Sequence, residues 1–291
     1  MLAEKSNFTI ARMARLLEVS RSGFYAWSRR QPLKQSVRRE RIEGKISWFH
    51  GASDEVSGSP RILADLRDDG EIISRKTVAK AMRRLGLCGI CPKQWRTTTT
   101  TDAADTYPPD AAKRVWDTGS LNQIWVGDIT YLRTCEGWLY LATVIDACSR
   151  RVIGWAIDEH MRADLVEDAL QMAITLRGDL PARVVFHSDR GTQYASEQIT
   201  AFAAKNEITR SMGYTGICWD NAMAESFFAT LKTEFYYRRV WPTKMRAKLE
   251  VGAWIEDRYN RRRRHSSIGQ VSPVTFERQH CNQPAANPEA A

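Results

Sequence analysis

The sequence has no run of about 18 apolar residues, so it offers no membrane-spanning helix. Its beginning does not read as a signal peptide, because Arg12 and Arg15 break the apolar stretch and no small-residue cleavage site follows. Cysteine is scarce: six residues (88, 91, 135, 148, 218 and 281) are scattered over 291. That spacing argues against a disulfide scaffold and for a reduced, cytosolic protein. Cys88 and Cys91 form one close pair, but a structural zinc needs four ligands and no second pair at suitable spacing follows. There is no glycine-rich phosphate loop ending in Lys-Ser/Thr, so ATP-driven motor action is not indicated. A sustained heptad repeat is also missing.

What is present is basic charge, and it is unevenly placed. The net charge is +9, yet residues 1–96 carry a balance of +10, residues 115–237 one of −6 and residues 238–264 one of +7. Basic arms attract phosphate backbones by counterion release. An acidic middle repels DNA unless its carboxylates are partly neutralised, as bound divalent cations would do. Basic solvated helices without a partner are the plainer reading of the same charges.

The chain divides at visible joints. Residues 8–28 suit two short helices around a turn, with Ile10, Met13, Leu16 and Leu17 on one face, a cap at Ser20, and Phe24, Tyr25 and Trp27 packing back. A helix-turn-helix and a plain helical hairpin share this pattern. A basic helix follows at about 34–50. A helix with Ile62, Leu63 and Leu66 ends at Asp68-Asp69-Gly70, and Ser74 caps the next one. On that helix Arg75, Lys76, Lys80, Arg83 and Arg84 lie opposite Val78, Met82 and Leu85, which makes it a DNA-recognition candidate. The expected segments are therefore a helix-turn-helix-like 1–33, a helical DNA-binding domain 34–95, a linker 96–114 rich in Thr and Pro, a catalytic core 115–240, a basic C-terminal helix and tail 241–280, and a disordered tail 281–291.

From residue 116 the texture changes. Strands are expected at 122–132, 137–146, 151–157, 183–189 and 208–212, and helices at 163–177, 196–206 and about 221–237. The order βββ-α-β-α-β-α is α/β, with helices on a mixed sheet. Asp128 interrupts an apolar strand, where a carboxylate costs several kcal/mol unless paired or metal-bound. Asp189 ends another core strand, and Glu225 lies one turn into a helix opened by Asp220, with 35 residues between the two acids. Asp146 is a rival acid, but it precedes a turn, where Asp is common for backbone reasons. His187 sits beside Asp189 in a supporting or packed role, and Asn221 supports the helix start.

Three stretches are more specific: HSDRGTQYAS (187–196), CWDNAMAESFFATLKTE (218–234) and YNRRRRHSSIGQVSPVTF (259–276). They closely resemble the integrase-core transposases of bacterial insertion sequences, and within these the second-reading-frame (OrfB) protein of the family numbered three. The likeness runs from about residue 8 to 277. It implies an RNase H-like core of the retroviral-integrase superfamily, with Asp128, Asp189 and Glu225 as the Asp-Asp-Glu triad that holds divalent metal. Lys232, two helical turns after Glu225, matches a basic residue placed to meet a DNA phosphate. The same context favours DNA contacts by Arg261, Arg262, Arg263 and Arg264. One departure is GYTGIC (213–218), which lacks the basic residue that relatives often carry there.

The implied chemistry is cleavage at an element's 3′ end followed by strand transfer. The expected ions are Mg2+ (or Mn2+), two of them about 3.5–4 Å apart, bridged by Asp128. The resemblance further implies a homo-oligomer on DNA, a fusion or association with an upstream-frame helix-turn-helix and zipper protein, and a nucleoid location in the bacterial cytoplasm. Two other classes stay open: a metal-dependent nuclease without strand transfer, and a non-catalytic DNA-binding regulator.

Overall fold

The computed structural model describes residues 1–31, 33–91, 108, 119–178, 183–213 and 222–282. No helix among them is long and apolar enough to cross a membrane.

Helices α1 (Ile10–Leu16) and α2 (Arg21–Ser28) are capped by Thr9 and Ser20, whose side chains accept from the backbone N–H of Arg12 and Gly23. Such caps contribute about 1 kcal/mol each. The packing differs from the expected hairpin core. Ile10, Met13 and Ala14 are buried, but Leu16, Leu17, Tyr25 and Trp27 are exposed and α2 buries nothing. Two helices of seven and eight residues have too little mutual surface to cover both apolar faces.

Helices α3 (Lys34–Ala52), α4 (Ser59–Asp68) and α5 (Arg75–Arg84) close around Ile42, Ile46, Ile62, Leu66, Val78 and Met82. Ser74 caps α5 through the N–H of Thr77, as its sequence suggests. The linker at 96–114 lies, except for Pro108, outside the described residues.

The second unit is a mixed sheet. Strands β1 (Ile124–Thr134), β2 (Gly137–Asp146) and β3 (Val152–Asp158) form an antiparallel meander. Helix α6 (Ala163–Arg177) carries the chain back to β4 (Val184–Ser188), parallel to β1. The short α7 (Thr192–Ala195) and α8 (Glu197–Lys205) lead to β5 (Ile208–Met212), parallel to β4. The strand order is β3-β2-β1-β4-β5. This is the α/β, RNase H-like sheet that the resemblance implies. One sheet face buries Trp125, Val144, Leu170, Phe186 and Ile199 beneath α6 and α8. The other is covered by α9 (Ala222–Glu234), α10 (Lys244–Ala253) and a π-helical continuation at Trp254–Arg262, through Phe227, Leu231, Trp241, Val251 and Ile255.

Helix α11 (Pro273–Asn282) closes the described chain. It takes in Cys281 and Asn282, which the sequence assigns to a disordered tail; residues 283–291 lie outside the described residues. Glu277 fixes α11 to the core, since its carboxylate accepts from Arg151 at 2.6 Å, Arg177 at 2.5 Å and Ser149 at 2.8 Å.

Candidate active site

The parallel ladder between β1 and β4 ends at the pair Gly127 and Ser188. The next residue after each of these is an aspartate, Asp128 within β1 and Asp189 just past the end of β4. Beyond this point β1 keeps only β2 as a partner, so its other edge is open where the acids stand. Close approach is possible because position 127 is glycine. A Cβ there would collide with the ring of Phe186 and stand 3.4 Å from Tyr194.

Helix α9 brings the third acid. Ala224 is fully buried against Ile124, Val126 and Ala147, which seats the first turn of α9 beside β1. Glu225 follows at the exposed rim. Half-buried Asp128 has its pKa pushed well above the ordinary carboxyl value, first by loss of water and then by the charges of Asp189 and Glu225; the N–H of Ile129 at 2.7 Å and the Lys232 charge oppose this. Asp189 is raised by desolvation, against the Gly191 N–H it accepts at 3.0 Å and the influence of His187. Glu225 is raised by desolvation. Lys232 is lowered by desolvation, with Asp128 pulling the other way. Three carboxylates and one ammonium from β1, β4 and α9 thus share one electrostatic neighbourhood. Among the described residues, no group of three or more His, Cys, Asp or Glu side chains is placed so that it could hold a metal ion as it stands.

Supporting groups are plain once the fold is seen. His187 is buried, and its Nδ1 pairs with Ser211 Oγ at 2.9 Å across the β4–β5 ladder. Tyr194 is buried between Phe186 and Gly127, and both aspartates help to raise its hydroxyl above the ordinary range after burial itself. Its place in the motif Asp189–Tyr194 was the only sequence signal for it. Gly191 needs its small size, since a Cβ would lie 3.0 Å from Asp189 Oδ1. Asn221, the Asp220 cap and residues 214–218 fall outside the described residues.

Asp146 has a structural task. Fully buried, it accepts from the N–H groups of Asn122 (2.8 Å), Cys148 (3.0 Å) and Ser149 (2.9 Å). It is the turn-forming acid that its position suggests.

The arginine run divides. Arg261 and Arg262 are exposed, the latter 2.9 Å from Asp257. Arg263 is buried and reaches Glu234 twice at 2.8 Å, so the expected DNA contact is corrected to an internal ion pair. Arg264 likewise turns inward, to Asp65 at 2.6 Å and Asp68 at 2.5 Å on α4. The sequence hides this because a run of four identical charges carries no mark of which way each side chain points. On α5, by contrast, Arg75, Lys76, Lys80 and Arg83 are all exposed.

Comparison with known proteins bears on this arrangement. Residues 120–218 and 206–273 match two family models, each described as an integrase core domain, and residues 38–95 match an HTH-like domain. The transposase InsF for insertion sequence IS3A of Escherichia coli K12 is 38% identical over 276 residues, covering 94% of this chain and 95% of that one. An uncharacterized 31 kDa protein of insertion element IS600 from Shigella sonnei is 34% identical, over 91% and 97%. Among solved structures, a simian T-cell lymphotropic virus intasome aligns over 84% of this chain and 78% of that one, with 18% identity and a TM-score of 0.46.

Proposed function

The chain belongs to the insertion-sequence transposases with an integrase core, DNA-acting polynucleotidyl transferases, and we propose that Asp128, Asp189 and Glu225 are its catalytic acids. The observation that carries this is that Asp128 holds its proton more tightly than an ordinary carboxyl, an effect to which both other carboxylates contribute although they lie 61 and 97 residues along the chain. Acids brought together against their own repulsion, beside an open strand edge, need a cation to be ionised together.

The donor set fits a divalent metal, because hard cations prefer carboxylate oxygens. The finer reading is magnesium, two ions that Asp128, Asp189 and Glu225 would hold. Bound there, the metal would activate the attacking oxygen and stabilise the leaving oxygen of a phosphodiester. The protein supplies position. The Gly191 N–H fixes one oxygen of Asp189, the Ile129 N–H fixes one of Asp128, and Lys232 faces the same neighbourhood, ready for a phosphate. Water first breaks a phosphodiester at the element's end and leaves a 3′-OH. That hydroxyl then attacks a second phosphodiester, so one P–O bond forms as another breaks and no external energy source is needed.

The exposed cations of α5 are proposed as contacts to the DNA backbone, together with Arg261 and Arg262. Assembly as a homo-oligomer on paired ends, alone or with an upstream-frame partner, completes the proposal. Incubating the full chain with labelled element ends in Mg2+, Ca2+ or EDTA tests it. Cleavage in Mg2+ alone supports metal-assisted chemistry, and equal cleavage in EDTA contradicts it.

A further inference from the structure

The hairpin joining β1 to β2 has two faces with opposite fates. Leu132, Leu139 and Leu141 are buried in the core beneath α9 and α10. Tyr131, Arg133 and Trp138 share the other face, because Arg133 pairs with Trp138 and Tyr131 with Tyr140, and alternate residues point the same way. Tyr131 is 58% exposed and Trp138 46%. Their rings meet edge to face, with centroids 5.4 Å apart at 85°. Lys232 Nζ stands 4.7 Å from the centre of the Tyr131 ring, and the Arg133 guanidinium 5.7 Å from that of Trp138.

Lys232 links this pair to the acids around the edge of the sheet. Tyr131 is three residues beyond Asp128 on β1, about 10 Å along it and by the same alternation on the opposite face, where β4 no longer pairs with that edge. Lys232, which covers Tyr131, also lies in the field of Asp128. An exposed aromatic pair with a cation over each ring is poorly suited to an apolar protein partner, which would have to strip water from both charges. It is well suited to a nucleotide, whose base stacks on a ring while its phosphate meets the ammonium.

We propose that Tyr131 and Trp138 form a stacking site for an unpaired DNA base beside the phosphodiester undergoing reaction. The site rests on the reading of Asp128 as catalytic, since that places the scissile phosphate next to it. It implies that the enzyme opens the last base pairs of the DNA end and holds one base outside the duplex, with Lys232 gripping the phosphate between base and acids.

The test uses the full chain and two DNA duplexes, one fully paired and one with two mismatched terminal pairs, each carrying 2-aminopurine in the last pair. Wild type should bind the frayed end more tightly and quench the probe on binding. Trp138→Ala and Tyr131→Ala should reduce the frayed-to-paired affinity ratio by about tenfold and lose the quenching, whereas Tyr131→Phe keeps both. A general loss of fold or charge would lower both affinities and leave their ratio alone. An unchanged ratio and unchanged quenching in the alanine variants overturn the stacking site, and if wild type still joins DNA the transposase chemistry stands. Failure of wild type to join any DNA counts against the catalytic reading instead.

Discussion

The guanidinium of Arg263 holds the carboxylate of Glu234 through two hydrogen bonds of 2.8 Å in the interior, and Arg61 of α4 reaches the same carboxylate at 3.1 Å. Glu234 ends α9, nine residues after Glu225, so one buried acid ties the helix bearing the proposed catalytic glutamate to the helical module. Burial works to raise the pKa of Glu234, but Arg263 and Arg61 outweigh it and hold the group below its ordinary value. Glu234→Ala leaves Arg263 buried and unpaired, and should destabilise the protein by about 3–5 kcal/mol in denaturant unfolding. The pair's contribution is present above the unfolded value near 4.5 and is lost as pH falls through the depressed folded one, so wild type should lose its advantage over the variant in acid.

Asp128 has the opposite sign. Its folded value is raised, so between the unfolded value and the folded one the native state binds the extra proton, and stability falls as pH rises. Asp128→Asn should therefore melt higher than wild type at pH 7 in EDTA, by about 2–4 °C for each kcal/mol of desolvation and repulsion relieved. Mg2+ should raise the melting temperature of wild type and not that of the variant. A variant that melts lower in EDTA would contradict a buried, destabilised Asp128 carboxylate.

Gly127 is required by the Phe186 ring, not by a turn. Gly127→Ala should cost about 1–3 kcal/mol through overpacking, and Phe186→Leu in the same chain should recover part of it. Thermal melting of the single and double variants measures both.

The two kinds of arginine should separate in salt titrations of DNA binding. Lys80→Ala or Arg83→Ala should each reduce the slope of log affinity against log salt by about 1, as loss of a phosphate contact does. Arg264→Ala should leave that slope unchanged and lower the melting temperature, because its partners are Asp65 and Asp68.

Much of this was legible in the residues. The β-branched runs gave all five strands to within two residues at either end, and helix 163–177 to the residue, because each element's apolar period matches the face it buries. Asp128 stood out since a charge inside an apolar strand demands a reason. Glu234 and Tyr194 did not, because their partners are distant in sequence and nothing local marks them as buried. The N-terminal aromatics misled for a related reason: period alone says which residues share a face, and not whether another element covers it.

The central claim is that Asp128, Asp189 and Glu225 act together in joining DNA. The most direct measurement is strand transfer by the full chain on labelled element ends in Mg2+, with wild type beside Asp189→Asn. The expected result is joined product from wild type and a loss of at least 100-fold in the variant, the scale of about 2.7 kcal/mol of transition-state stabilisation, with DNA binding retained. Joined product at wild-type rate from Asp189→Asn would contradict the account.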